Sequence, residues 1–324
     1  MMNWSELLRV VGCSLLLFFL AGNGETFAVE TGTGKTSQKG VVPKAVPVTS
    51  LGAKPSSGAS VSSKKPGSAV GAVEGISGAP VNGAVAHIVV DARTGTVLSA
   101  KNADARRPVA STQKLLTALL VAERGGLSRK VTIEKSDTLA SPTKLNMEVG
   151  DEYRRDDLLR ILLVKSMNDV ACALARDHSG SVSAFARVMN AKAAELGMTR
   201  SRFVNPNGLP AEGQYSTARD MSKLALAAYR NADIRKYVKL RTTNWLPTSG
   251  LEVTYENTNK VLGMLPACNG MKTGYTDAAK FCLVSSAKEG GSEVIAVVLG
   301  DSKPAIWEDS RDLLAWGLRQ KVSR

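Results

Sequence analysis

The spacing of apolar positions changes several times along the chain. Residues 87–90 and 96–99 are β-rich runs, and the turn-forming stretch Asp91-Ala92-Arg93-Thr94-Gly95 between them predicts a hairpin. Beyond Ala110 the spacing becomes helical, through Leu115, Leu116, Leu119, Leu120 and Val121. Further helices are expected around 158–164, 170–175, 185–196 and 221–229. Strands return at 281–286 and 294–299, and a last helix over 306–318 carries Leu313, Leu314, Trp316 and Leu318. Strands at both ends with helices between them predict an α/β (α+β) domain over residues 85–324: one sheet built from both termini, enclosing a helical insertion. No internal repeat is found.

Ahead of this region the pattern is different. A short polar start with one arginine, Arg9, leads into the apolar run 10–21, which is too short to span a bilayer comfortably and suits the core of a signal peptide. Residues 1–28 are therefore expected to direct export, with cleavage after Ala21 or Ala28. Cys13 precedes most of the apolar run and is poorly placed for lipid attachment. Residues 29–84 are rich in Gly, Ser, Ala, Pro, Val and Lys with almost no large apolar side chain. Such a segment cannot bury enough surface to offset chain entropy and reads as a linker. Its charged residues are six lysines and two glutamates, so the sharper alternative to a plain tether is loose attraction to an anionic wall polymer or membrane. Gly32-Thr33-Gly34-Lys35-Thr36 imitates the end of a phosphate-binding loop, but no strand precedes it and Val29 stands where the first glycine belongs.

Composition narrows the chemistry. Of 324 residues, 44% are hydrophobic and 22% charged, enough to build a core, whereas 5% aromatic content argues against a base-stacking platform. Lys and Arg exceed Asp and Glu by 42 to 29, which fits an anionic partner, but export disfavours nucleic acid. The two histidines, His87 and His178, lie far apart in sequence, so neither a His-rich metal cage nor a paired-histidine catalyst is expected. Export would leave Cys172, Cys268 and Cys282, an odd number without a CxxC spacing; they are expected to be small buried residues.

The chemistry begins at Ser111-Thr112-Gln113-Lys114. If Ser111 opens the helix, Lys114 returns to the same side one turn later, where a neutral amine can take the serine proton. The helix start adds backbone N–H groups and a positive field for an oxyanion. Alone the pattern means little, since 62–65, 141–144 and 285–288 also fit it. Ser166-Met167-Asn168 falls where one helix ends and another begins, and Lys272-Thr273-Gly274 precedes the strand at 281. Each has an ordinary reading, a helix cap for the first and a turn for the second. Gly274 would also let a substrate backbone approach, and a strand edge there could pair with an extended peptide.

In this order, Ser-x-x-Lys, Ser-x-Asn and Lys-Thr-Gly form the motif set of penicillin-binding proteins and serine β-lactamases. The chain most closely resembles the low-molecular-mass D-alanyl-D-alanine carboxypeptidases and their endopeptidase relatives, the S11-type serine peptidases. The resemblance extends over 85–318 and includes Phe203-Val204-Asn205-Pro206-Asn207-Gly208-Leu209, Ser216-Thr217-Ala218-Arg219-Asp220-Met221 and Lys272-Thr273-Gly274-Tyr275-Thr276. It implies an antiparallel sheet flanked by helices, Ser111 as the nucleophile acylated by peptidoglycan stem peptides, and Lys114 as its base. Ser166 would relay protons and Asn168 would hold the substrate amide. Lys272 and Thr273 would meet the substrate carboxylate, beside Gly274, and the N–H groups of Ser111 and Tyr275 would form the oxyanion hole. It implies no metal or organic cofactor, β-lactams as covalent inhibitors, and a periplasmic or wall-associated location.

Departures bear on substrate choice. Relatives often carry an arginine between the final strand and last helix, where this chain reads Asp301-Ser302-Lys303-Pro304-Ala305-Ile306-Trp307. Lys303 is the cationic candidate there, and a lysine holds a carboxylate less specifically than an arginine fork. This strengthens endopeptidase cleavage of crosslinks as the alternative to carboxypeptidase activity. Lys280 stands where many relatives have glycine. The chain also ends soon after the last helix, so the C-terminal β domain and amphipathic anchor of many relatives are expected to be absent. A class A β-lactamase would need a Glu-x-x-Leu-Asn stretch, which the sequence lacks, and a non-catalytic wall scaffold is disfavoured by three intact motifs.

Overall fold

A computed structural model describes residues 78–320. The expected signal segment, the linker up to residue 77, the phosphate-loop imitation and the 62–65 Ser-x-x-Lys match lie outside the described residues. In chain order the elements are β1 (Ala86–Asp91), β2 (Val97–Lys101), α1 (Lys114–Arg124), β3 (Lys130–Thr132), β4 (Glu152–Arg154), α2 (Arg155–Lys165) and α3 (Asn168–Ser179). There follow α4 (Val182–Glu195), α5 (Ala218–Arg230), α6 (Ala232–Val238), β5 (Thr242–Trp245), β6 (Val253–Glu256) and α7 (Val261–Met264). The chain then forms β7 (Cys268–Thr276), β8 (Lys280–Glu289), β9 (Ser292–Asp301) and α8 (Ala305–Leu318).

The main sheet has the order β2-β1-β9-β8-β7 and is antiparallel throughout. Its centre is a meeting of the two ends of the domain, with Ala86 opposite Leu299 and Val90 opposite Ile295. Side chains alternate between two cores, as a pleated strand requires. Ile88, Val90, Val284, Ile295 and Val297 face the helical insertion. Val89, Leu283, Ala296 and Val298 face α8, where they meet Ile306, Leu313 and Leu314. Because both faces are covered, β9 reads as a nearly continuous apolar run rather than an alternating one.

Helix α1 is buried along most of its length, with Leu115 and Leu116 fully enclosed. An all-round apolar helix belongs in the middle of a core, and each such leucine contributes about 1.5–3 kcal/mol by leaving water. This rigid rod carries Lys114 at its first residue.

Two features differ from the sequence expectation, and a third residue gains a physical explanation. Lys272-Thr273-Gly274 lies inside β7 and not in a turn; its polar residues interrupt the apolar pattern, and pairing with β8 makes it a strand. The hairpins β3–β4 and β5–β6, and helices α6 and α7, were not foreseen, because they are short and expose many of their residues. Lys280 has φ +59°, a left-handed conformation that favours glycine, which gives a physical reason for the glycine the resemblance led one to expect here.

Candidate active site

Ser111 sits in a single 3-10 turn, Ala110–Gln113, that leads directly into α1. The turn is held from outside. Gln113 Nε2 donates to the Asn205 carbonyl at 2.6 Å, and Thr117 Oγ1 donates to the Pro206 carbonyl at 2.7 Å. These bonds press residues 205–208 against the start of α1. Gly208, at φ +84°, passes so close that a Cβ there would lie 2.2 Å from the Ala110 carbonyl oxygen. On the opposite side a Cβ at Gly274 would lie 2.9 Å from the Ser111 nitrogen. Two glycines thus allow two backbones to close around the serine.

Lys114 is fully buried, and its Nζ has three partners: Ser111 Oγ at 2.8 Å, Asn168 Oδ1 at 2.6 Å and the Asn207 carbonyl at 2.6 Å. Burial pushes its pKa well below the ordinary lysine value, and the neighbouring Lys272 charge pushes in the same direction. Two of the three partners are carbonyl oxygens, which can only accept. A neutral amine therefore spends its two N–H groups on Asn168 and Asn207 and turns its lone pair to the Ser111 hydroxyl. Asn168 is fixed in turn, since its Nδ2 donates to the Pro142 carbonyl at 2.5 Å and its backbone N–H donates to the Thr143 carbonyl at 2.8 Å.

Ser166 ends α2 in the left-handed conformation, φ +72°, and has no side-chain hydrogen bond among the described residues. Its hydroxyl remains available at the cleft wall. Lys272 is 1% exposed, lies behind the wall, and donates to the Thr273 carbonyl at 3.1 Å. Burial lowers its pKa to about 7. Thr273 Oγ1 donates to Thr258 Oγ1 at 2.7 Å.

A cleft of about 350 Å³ joins these groups. Ser111, Ser166, Asn168, Thr273, Gly274 and Tyr275 line it, whereas Lys114 and Lys272 stand behind them. Lys272, which the resemblance implied would meet a substrate carboxylate together with Thr273, is enclosed behind the lining and bordered by Thr273, which does reach the cleft. Among the described residues, the competing Ser-x-x-Lys stretches 141–144 and 285–288 are not assembled. Lys144 donates to the Thr138 carbonyl, and Lys288 pairs with Glu293 at 2.6 Å.

The wall formed by α8 presents Ile306 and Trp307, while Lys303 is exposed and does not line the cleft. Sequence reasoning missed two participants. The Asn207 carbonyl is a backbone atom without a residue-type signal. Lys165 lines the cleft but is adjacent to Ser166-Met167-Asn168, which drew attention first.

The S11 peptidase profile, described as D-alanyl-D-alanine carboxypeptidase, matches residues 76–303. The chain belongs to this family. It is 35% identical over 222 residues to the D-alanyl-D-alanine carboxypeptidase DacF of Bacillus subtilis, a match covering 67% of this chain and 57% of DacF. It is 34% identical over 240 residues to the D-alanyl-D-alanine endopeptidase of Escherichia coli, covering 71% of this chain and 75% of that protein. The crystal structure of the Streptomyces K15 DD-transpeptidase superposes with a TM-score of 0.71 at 32% identity, over 75% of this chain and all of that one.

Within this S11 peptidase the remaining singular residues have structural surroundings. Cys172, Cys268 and Cys282 are buried free thiols, and burial raises the pKa of Cys172 and Cys282 to about 11, so they are protonated at neutral pH. His87 Nε2 lies 3.0 Å from Ser99 Oγ, and burial lowers its pKa to about 4. His178 packs edge-on against Phe185. Among the described residues no cluster of three or more His, Cys, Asp or Glu could hold a metal ion.

Proposed function

We propose that this protein is an exported serine D,D-peptidase that removes the terminal D-alanine from peptidoglycan stem peptides through an acyl-enzyme at Ser111. The observation that carries this reading is the buried Lys114 amine, 2.8 Å from Ser111 Oγ and held by two carbonyl acceptors. Ser111 Oγ attacks the carbonyl carbon of the penultimate D-alanine while its proton passes to Lys114 Nζ. The backbone N–H groups of Ser111 and Tyr275 receive the oxyanion. Collapse breaks the C–N bond, and the departing amine takes the proton back from Lys114 through the Ser166 hydroxyl. Water then attacks the acyl-enzyme by the reverse route, releasing the shortened peptide and restoring Ser111. Lys272 serves by keeping Lys114 neutral, and Thr273 by meeting the substrate.

Residues 1–28 act as the export signal, 29–84 as the tether and 85–324 as the catalytic domain in the same proposal. β-Lactams acylate Ser111 as mimics of the D-Ala-D-Ala end. A second reading, cleavage of crosslinks between stem peptides, is favoured by one observation: the last helix presents Ile306 and Trp307 to the cleft and Lys303 does not line it, so this side offers no arginine fork for a terminal carboxylate.

Mass spectrometry of the purified chain with crosslinked and uncrosslinked peptidoglycan fragments tests both. Loss of one terminal D-alanine from a pentapeptide is the expected result. Conversion of dimers to monomers would transfer the assignment to the endopeptidase, and no change in either substrate would favour a non-catalytic wall scaffold.

A further inference from the structure

Among the residues lining the cleft, Lys165 alone carries a charge. It is the last residue of α2, half-buried, and its Nζ lies 5.7 Å from the centroid of the Tyr255 ring. No carboxylate among the described residues pairs with it. A half-buried cation facing a cleft without a counter-ion is a receptor for an anion carried by the ligand.

The neighbouring wall supplies the rest of such a receptor. The Thr258 backbone N–H donates to the carbonyl of Val164, the residue before Lys165, at 3.1 Å. Thr258 Oγ1 accepts from Thr273 Oγ1 at 2.7 Å. Lys165, Thr258 and Thr273 therefore line one continuous stretch of the cleft, with two hydroxyls beside one ammonium. Across from them, Ile306 and Trp307 offer no charge, Lys303 points no group into the lining, and Lys272 is enclosed.

We propose that Lys165 is the cation that receives the C-terminal carboxylate of the substrate, with Thr258 and Thr273 as its hydroxyl partners. The assignment rests on the D,D-peptidase reading of the cleft. It makes Lys165 a specificity-determining residue, which selects peptides with a free carboxylate over those that continue or end in a neutral group. As a point charge an ammonium fixes position but little orientation, so the two threonines set the tilt of the carboxylate.

The test compares the full chain with Lys165→Met and Lys165→Arg on two probes that differ only at the C-terminus: diacetyl-L-lysyl-D-alanyl-D-alanine and its C-terminal amide. The acid-to-amide ratio of kcat/KM is expected to fall roughly 10- to 100-fold in Lys165→Met, chiefly through KM, with much of it restored in Lys165→Arg. A purely structural role would depress both probes together, and an unchanged ratio overturns the assignment. Acylation by benzylpenicillin against its methyl ester gives the same ratio without peptide turnover. There, a preference for the acid that survives in Lys165→Met overturns the assignment while leaving the peptidase reading intact. A parent chain that neither acylates nor hydrolyses overturns the peptidase reading, and the assignment with it.

Discussion

Lys114 Nζ and Ser111 Oγ lie 2.8 Å apart although the serine belongs to a 3-10 turn and the lysine to the following α-helix. The tighter turn brings residues three apart nearly into register along the axis, so the hydroxyl stands almost directly over the amine. Ser111→Ala should therefore remove covalent penicillin labelling while leaving the melting curve close to that of the parent, because the serine is only half-buried. Labelling that persisted would place the nucleophile elsewhere.

Lys114→Met should slow acylation by about 10²- to 10⁴-fold, the usual share of general-base assistance. Stopped-flow measurement of penicillin acylation reads this directly, and a variant that acylated at the parent rate would remove Lys114 from the role of base.

The pH dependence follows from Lys272. Its charge lowers the Lys114 pKa, so Lys272→Met should raise that pKa and move the acid limb of the acylation profile to higher pH. Stability should change as well. With a folded pKa of about 7 against an unfolded value of 10.5, the native state binds fewer protons than the unfolded state between these limits. Stability contributed by this group thus rises with pH across that window, and Lys272→Met should flatten the rise. Denaturant titrations at pH 6 to 10 check the sign.

Gly208→Ala should be severe for a small change. The left-handed φ alone costs about 1–3 kcal/mol for a side chain, and the Ala110 carbonyl blocks the space. A loss of more than about 2 kcal/mol is expected, together with slower acylation, since the Asn207 carbonyl would be pushed from Lys114. Denaturation midpoints and acylation rates of the same preparation measure the two effects.

Lys280→Gly should stabilise the protein by roughly 0.5–1 kcal/mol, because relief of the left-handed strain exceeds the added chain entropy of glycine. An unchanged or lowered midpoint would show that the lysine is not strained.

Much of this architecture was legible in the chain. The long helices and the strands at 281–286 and 294–299 announced themselves because their apolar faces are unbroken over several residues. The three motifs pointed to the serine because their order is rarer than any one of them. What stayed hidden has physical causes. In β7, Lys272 is a charged residue in a fully buried position, which an alternation of apolar and polar residues cannot reveal; it becomes enclosed only when β7 has paired with β8 and packed into the fold. The Asn207 carbonyl acts through the main chain, so its use depends on where Gly208 lets the loop lie. Lys165 looks like an ordinary cation at a helix end, and becomes distinctive only when the cleft beside it lacks any other charge.

The pairing of β1 with β9 also governs when the protein can work. β1 is synthesised early and β2 can join it at once, but its other edge waits for Val294 to Leu299, after the whole helical insertion has been made. Ser111 likewise meets Gly274 only when β7 has arrived. Such long-range contacts slow folding and leave an open strand edge in the incomplete chain. An unfinished molecule therefore holds Ser111 apart from the wall that completes the cleft, and the assembled site arrives with the last strands of the sheet rather than growing as the chain emerges.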